Sequence, residues 1–111
     1  MKEYYSSVCF VKNGHCLHRF YPEDIHWISA EGNYITLHTS QKRFVLKMPM
    51  KKLWNYLPEQ TFSRIHRSYI VHLDAITRID VGTNEVFIGE NALPLGRSFK
   101  KNLLDKIQLW E

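Results

Sequence analysis

The sequence is poor in features that mark several large classes of protein. It has two cysteines, Cys9 and Cys16, too few for the disulfide framework of a small secreted domain. No run approaches the roughly 18–20 consecutive apolar residues that cross a bilayer. Residues 1–7 lack the basic-then-apolar pattern of a signal peptide. These absences favour a soluble cytoplasmic domain that has no membrane partner.

Patterns typical of catalysis are also missing. The acidic residues are scattered singly, so no carboxylate pair suggests acid–base chemistry. There is no glycine-rich phosphate loop, no nucleophile elbow and, among six histidines, no ligand pair such as HExxH. We therefore expect no enzyme, no cofactor and no metal. A small metal-dependent hydrolase that uses the histidines is the alternative from the enzyme class.

What the chain does have is enough apolar sequence for a core and a basic middle. Its 111 residues, 44% of them hydrophobic, predict one globular domain over 1–111. The net charge is +4, yet residues 32–73 alone carry +6 and residues 74–96 carry −3. Concentrated positive charge is typical of proteins that bind a phosphate backbone. A solvated basic face would give the same charge pattern.

The first element predicted is a β-hairpin. Asn13-Gly14 lies between two strand-like runs and is expected to form a two-residue loop. Cys9 would then lie opposite His18, and Cys16 would share their face. We expect these side chains to pack beneath the sheet. A metal site lacks a fourth ligand, and the diagonal cysteine pair disfavours a disulfide.

Strand and helix patterns fill most of the remaining sequence. Strand-like runs are predicted at 25–30, 34–39, 43–48, 75–81, 85–88 and 92–95. A first helix follows Pro49, stops at Pro58 and buries Met50, Leu53, Trp54 and Leu57. A second helix takes Ser98 as its N-cap and buries Phe99, Leu103, Leu104, Ile107 and Trp110.

Residues 61–73 match neither period, which predicts an exposed loop that presents polar side chains. Arginine can fork onto phosphate oxygens or onto a guanine edge, so Arg67 is expected to be mainly functional. His66 and Ser68 are expected to be mainly structural.

The start of the second helix carries positive charge where the helix dipole disfavours it. Arg97, Lys100 and Lys101 lie at this end, and an exposed cation there costs roughly 0.3–1 kcal/mol. A bound anion would reverse the sign of that effect. We favour a phosphate at this position over simple screening by salt.

Four segments together carry a family resemblance. They are IHWISAEGNYITLHT, RFVLKMPMKKLWNYLP, FSRIHRSYIVHLDAITRI and ALPLGRSFKKNLLDKI. From about Phe10 to Ile107 the chain resembles the LytTR DNA-binding domain, usually the output module of LytR/AlgR-type bacterial response regulators. The R-x-H-R-S-Y-x-V core at Arg64–Val71 is the most specific part. His72 stands where the family usually has Asn, which is expected to alter how the Arg67 loop is held. Gly96 stands where Ser is common and is expected to loosen the Arg97 loop.

The resemblance implies a mostly β fold: an elongated set of antiparallel sheets and hairpins with two short helices, not a helix-turn-helix. It also implies loops inserted into successive major grooves of bent DNA. The base-contacting residues would be Asn33, Arg67, Arg97 and Ser98, and the residues that hold the loop would be His66, Ser68 and Tyr69. From the charge pattern we add phosphate contacts by Lys42, Arg43, Arg64, Lys100 and Lys101.

The predicted function is sequence-specific binding of double-stranded DNA in bacterial transcription regulation, with two copies on a repeated operator. A chain of 111 residues has no room for a receiver domain as well. It is therefore expected to be the output domain of a longer two-component response regulator or a stand-alone regulator. The alternative is a single-stranded nucleic acid or RNA module, in which Tyr34, Trp27 and Phe44 would stack bases.

Overall fold

Short strands joined by tight turns make up most of the fold. In the computed structural model, which describes residues 8–111, the long axis extends 50 Å and the other two extend 28 and 24 Å. The strands are β1 Cys9–Asn13, β2 Cys16–Phe20, β3 Ile25–Glu31, β4 Tyr34–Thr39, β5 Arg43–Lys47, β6 Phe62–His66, β7 Tyr69–His72, β8 Arg78–Asp80, β9 Glu85–Ile88 and β10 Asn91–Pro94. The helices are α1 Met50–Trp54 and α2 Arg97–Leu104. The signal-peptide expectation concerned residues 1–7, which lie outside the described residues.

The strands form three antiparallel sheets. β1 and β2 form a hairpin, β5-β4-β3-β7-β6 form a five-stranded sheet, and β10-β9-β8 form a three-stranded sheet. The predicted elongated, mostly antiparallel β architecture with two short helices is confirmed. No helix among residues 8–111 has the length and apolar content to cross a membrane.

Two hydrophobic cores lie on opposite faces of the β6–β7 pair. Phe62 and Ile70 belong to a core that also receives residues of β3, β4 and α1. Ile65 and Val71 belong to a second core, shared with the three-stranded sheet and α2. All four side chains are fully buried. The β6–β7 pair is therefore a wall common to both cores.

This double burial overturns the expectation of an exposed loop over residues 61–73. The segment forms strands β6 and β7, and the turn between them contains only Arg67 and Ser68. A strand buried on both faces has no alternation of polar and apolar residues. The missing period therefore reflects burial on both faces of the strands.

The register of the first hairpin differs by one residue from the prediction. Asn13 pairs with Cys16, so the loop is Gly14-His15. Gly14 has φ +65°, and among the described non-glycine residues only one, in another turn, has positive φ. A loop at Asn13-Gly14 of type I′ needs positive φ at both positions, whereas a type II′ loop needs it only at the first.

The shifted register also changes what the cysteines contact. Cys9 pairs with Phe20 and Val11 pairs with His18, while Cys16 pairs with the residue before the turn. Cys9 is half-buried, but Cys16 and His18 are exposed. Packing beneath the sheet is therefore wrong for these two residues, and neither Cys9 nor Cys16 forms a disulfide.

Both helices end earlier than predicted, and α2 also begins earlier. α1 ends at Trp54, although Leu57 beyond it is buried as expected. α2 begins after Gly96, which is its N-cap, so the predicted capping role of Ser98 is wrong. Leu103 is buried, but Trp110 lies beyond the helix and is 87% exposed, so its predicted burial is also wrong.

Two partly enclosed histidines support the five-stranded sheet in their neutral forms. Burial lowers the pKa of His38, and the nearby Arg43 lowers it further. The ring stacks on Trp27 at 4.2 Å between centroids, and its Nε2 is 2.9 Å from Ser29 Oγ.

His72 is the second of these histidines. Burial lowers its pKa; Asp74 opposes this shift and His26 adds to it. The Asp74 N–H donates to His72 Nδ1 at 3.1 Å, which caps the short turn after β7. An asparagine Oδ1 accepts the same kind of bond, so His72 takes over this capping role. It does so at the end of β7 remote from Arg67, contrary to the expectation that it alters how the Arg67 loop is held.

We expect the shared wall to make the two cores unfold together. Ile65→Ala and Ile70→Ala should each lower the free energy of unfolding by about 2–5 kcal/mol, since each leaves a cavity in a different core. Denaturant unfolding should show one transition for both variants. Val45→Ala, at a 60% exposed position, is the control and should change stability by less than about 0.5 kcal/mol. Two separate transitions in the Ile65→Ala variant would contradict a common wall.

The neutral histidines predict acid sensitivity. Because their folded-state pKa values are lowered, the unfolded chain takes up protons first as the pH falls below about 6.5. Stability is therefore fully present above that pH and is lost as the pH falls through the folded pKa values. The thermal midpoint should drop between about pH 7.5 and pH 5, and this drop should be smaller in a His38→Gln/His72→Asn variant. His15→Gln, in an exposed turn, is the control, and equal pH slopes in all three proteins would contradict the prediction.

Candidate nucleic-acid interface

Three exposed turns lie near one another at one end of the five-stranded sheet. β3 ends at the Gly32-Asn33 turn, and β7 starts after the Arg67-Ser68 turn. Ser29 pairs with Tyr69 in antiparallel register, which brings both turns to the same end. The Ala30 N–H also donates to Ser68 O at 2.9 Å and joins the turns directly.

The third turn, residues 95–96, leads into α2 and reaches the Arg67 turn from the other side. The Gly96 N–H donates to Ile65 O at 2.7 Å. A Cβ at Gly96 would be 3.1 Å from Phe99 Cδ2 and 3.7 Å from His66 Cα. Gly96 therefore permits a close approach and does not loosen the turn, contrary to expectation. Arg97 follows directly and is exposed.

The backbone of the Arg67 turn is fixed by several hydrogen bonds. Arg64 Nη2 donates to Arg67 O at 2.8 Å, and the Ser68 N–H donates to His66 Nδ1 at 3.1 Å. The His66 ring lies edge-on against Tyr69, with 5.6 Å between centroids. Arg67 itself is exposed, so its side chain faces solvent while hydrogen bonds hold the backbone of the turn.

The Asn33 turn is a tight two-residue connection. Gly32 has φ +62°, the left-handed conformation that glycine adopts without steric cost. Asn33 is exposed beside it, between β3 and β4. Glu31, which ends β3, places an acidic group at the same end.

The basic residues predicted to contact phosphate do not all lie at this end. Lys42 and Arg43 lie at the β4–β5 turn, the opposite end of the sheet, since Arg43 pairs with His38 near the close of β4. Lys47, which the sequence analysis did not select, pairs with Tyr34 next to the Asn33 turn and is exposed. Strand register could have identified it, because the last residue of β5 faces the first residue of β4.

The two lysines in α2 have partners within the chain. Lys100 Nζ donates to Val81 O and to Asn84 Oδ1, each at 3.2 Å, and so ties the β8–β9 turn to the helix. Lys101 Nζ lies 2.9 Å from Asp105 Oδ2, and this hydrogen bond and charge raise the pKa of Lys101. The Lys101 side chain is 89% exposed, so its ammonium group is accessible from solvent.

The three aromatic residues proposed to stack bases do not form an open surface together. Trp27 stacks on His38 and packs against the second core. Phe44 packs against the first core, 5.9 Å from the Phe20 ring. Tyr34 is the exposed member of the three. The arrangement favours readout by turns over base stacking on the sheet.

Comparisons with known proteins agree with this geometry. The family model for the LytTr DNA-binding domain matches residues 15–108. A solved LytTr DNA-binding domain of a methyl-accepting/DNA response regulator from Bacillus cereus shares the fold, with a TM-score of 0.77 and 18% identity, and the match covers 91% of this chain and 96% of that one.

Relatives known from sequence carry a common name. The sensory transduction protein LytT of Oceanobacillus iheyensis is 31% identical, over 78% of this chain and 38% of that protein. The protein of the same name from Enterococcus faecalis is 25% identical, over 79% of this chain and 38% of that protein. The chain therefore spans less than half the length of these relatives.

The family match covers nearly all of the described residues and includes all three turns. The family binds DNA and is not enzymatic, which confirms the predictions of a DNA-binding module and of no enzyme. The family model and the fold agree, and the chain belongs to the LytTR family of DNA-binding domains.

Proposed function

We propose that this chain binds double-stranded DNA sequence-specifically, through turns that enter successive major grooves, and thereby regulates transcription in the bacterial cytoplasm. The observation that carries the proposal is that two exposed turns and the exposed start of α2 meet at one end of the five-stranded sheet. Backbone hydrogen bonds join them, from Ala30 to Ser68 and from Gly96 to Ile65. A major groove is about 12 Å wide and admits elements of this kind.

Within this interface Arg67 is the central base reader. Its backbone is held from β6 and β3, while its side chain is free in solvent. A guanidinium can form two hydrogen bonds with guanine O6 and N7. The other proposed base contacts are Asn33, exposed in its turn, and Arg97 and Ser98, exposed at the start of α2.

Phosphate contacts would flank these readers. Lys47 lies beside the Asn33 turn, and Lys101 is exposed on α2. Lys100 lies on the same helix, although its ammonium already donates to the β8–β9 turn. Lys42 and Arg43 lie at the opposite end of the sheet, so we assign them no role in the contact described here.

We further propose that two copies bind a repeated operator, as the output part of a longer response regulator. Three short turns at one end of a small domain read few base pairs, and a genome offers many competing sites. A second copy multiplies the discrimination. The coverage of 38% of the LytT relatives supports a longer parent protein with a receiver domain.

Selection from a randomised duplex pool tests the proposal, at an ionic strength of about 0.15 M, where surface electrostatics are partly screened. We expect enrichment of a short motif repeated at a spacing near one or two helical turns. Retention without enrichment would contradict specific reading. Preference for single strands in a competition assay would instead support a single-stranded or RNA-binding module.

Arg67→Ala and Lys101→Ala should separate base reading from phosphate binding. Loss of Arg67 should remove about 1–3 kcal/mol of discrimination between the selected site and random duplex. Loss of Lys101 should weaken both complexes alike and reduce the slope of log K against log salt by about 0.9. Titrations at several salt concentrations measure both quantities.

Arg43→Ala is the matched control for these titrations. It removes one exposed cation from the opposite end of the sheet, so it should change affinity and salt slope less than Lys101→Ala does. Equal losses on specific and random duplex for Arg67→Ala and Lys101→Ala would contradict the assigned roles.

A further inference from the structure

Arg64 has a different environment from the other basic residues near the interface. It lies in β6, three residues before the turn, and is half-buried. Its Nη2 donates to Arg67 O at 2.8 Å, and its guanidinium carbon lies 5.9 Å from the centre of the Phe99 ring in α2. One side chain therefore contacts both the Arg67 turn and the helix that follows the Arg97 turn.

The Nε atom of Arg64 disfavours the expected phosphate contact. It is inaccessible to solvent and has no hydrogen-bond partner. A fork onto phosphate uses two neighbouring N–H groups of the guanidinium. With Nε enclosed, the Nε side of the guanidinium cannot form such a fork, and Nη2 already donates to the protein's own backbone.

An enclosed N–H without a partner is unfavourable for stability. A methionine at this position would keep an unbranched stem and would remove the unpaired donor. The enclosed Nε therefore costs stability, and what offsets it are the contact with Phe99 and the hydrogen bond from the terminal Nη2 donor. That donor meets the carbonyl of the residue proposed to read bases.

The bond to Arg67 O restrains the turn at an atom that the other hydrogen bonds described for this turn do not reach. His66 accepts from the N–H of Ser68, and Ala30 donates to the carbonyl of Ser68. Arg64 is bonded to the carbonyl of Arg67 itself. Without that bond, the peptide between Arg67 and Ser68 would be held only through the Ser68 N–H, and the Cα–Cβ direction of Arg67 would be less restrained.

We propose that Arg64 is a positioning residue, which fixes the backbone of the Arg67 turn and links it to α2 without contacting DNA. The proposal rests on the proposed function, since positioning has a purpose only if Arg67 reads bases. It predicts that removal of Arg64 costs discrimination and leaves the number of phosphate contacts unchanged.

The DNA test compares Arg64→Met with Arg19→Met, using the selected duplex and a random duplex. Arg19 is an exposed arginine on β2 that also lies over aromatic rings, 4.8 Å from the centre of Tyr21. Arg64→Met should lower affinity for the selected duplex by on the order of tenfold, the usual weight of a hydrogen bond from a charged donor. Random-duplex affinity and its salt slope should match those of Arg19→Met.

A phosphate contact by Arg64 gives a different result. Both duplexes would then lose affinity alike, and the salt slope would fall by about 0.9 relative to Arg19→Met. That result would overturn the proposal. If the wild-type protein does not discriminate between duplexes, the proposed function fails. If the wild type discriminates and Arg64→Met does so equally well, only the positioning role fails.

Amide hydrogen exchange in the free protein tests the restraint without DNA. The amides of residues 67–69 should exchange faster in Arg64→Met than in wild type, whereas Arg19→Met should leave them unchanged. Unchanged exchange in Arg64→Met would overturn the proposal. Circular dichroism establishes that each variant is folded.

If Arg64→Met does not fold, Arg64→Lys takes its place. Lysine keeps the charge but lacks the planar fork that both stacks and donates. We expect discrimination to fall at least about threefold, exchange at residues 67–69 to rise, and the salt slope to stay unchanged. Wild-type discrimination and exchange in Arg64→Lys would overturn the proposal.

Discussion

The burial of both faces of the β6–β7 pair is the constraint on which the rest of the structure depends. Side chains alternate along a strand, so Phe62 and Ile65 lie on opposite faces, and only one register places each in its own core. That register includes a bulge between Arg64 and His66. A slip by one residue would exchange the two sets of side chains between the cores. The same register sets which residues form the turn, and so places Arg67 at its tip.

Backbone pairing carries this placement to the neighbouring turns. β7 pairs with β3, which brings the Gly32-Asn33 turn alongside, and Ile65 accepts from Gly96, which brings α2 to the other side. Gly96 tolerates this approach because it has no Cβ, and a side chain there would press on Phe99. The interface is thus a consequence of how the cores pack. Its geometry does not depend on contacts between the side chains that are proposed to contact bases.

Much of this arrangement was predictable from the sequence where one face of an element is wet. Ile35 and Leu37 alternate with polar neighbours, and both are buried as β4 requires. The family resemblance supplied the fold and the three turns. The β6–β7 pair gave no such pattern because it has no wet face. Alternation of polar and apolar residues appears only when one face of a strand is buried and the other is exposed. A strand between two cores is buried on both faces and shows no alternation.

The remaining wrong predictions concern residues whose neighbours in the fold are distant in the sequence. Ser98 is a better capping residue than Gly96 in isolation, but the Ile65 carbonyl decides which residue can approach. Counting charge along the chain grouped Lys42 with Lys47. Lys42 precedes the five-residue strand β5 and Lys47 ends it, so the two lysines lie at opposite ends of the sheet. Charge density along a sequence becomes surface potential only after strand direction is known.

In the proposed DNA complex, phosphate binding and base reading therefore depend on different properties of this fold. A lysine attracts phosphate from many side-chain conformations, so its position matters only to within a few ångströms. A guanidinium that must meet two acceptors on one base tolerates much less variation, and each loose backbone torsion behind it adds to the entropy lost on binding. The hydrogen bonds behind Arg67 reduce that loss before DNA arrives. Specific reading should accordingly depend on residues that never touch DNA, and non-specific binding should not.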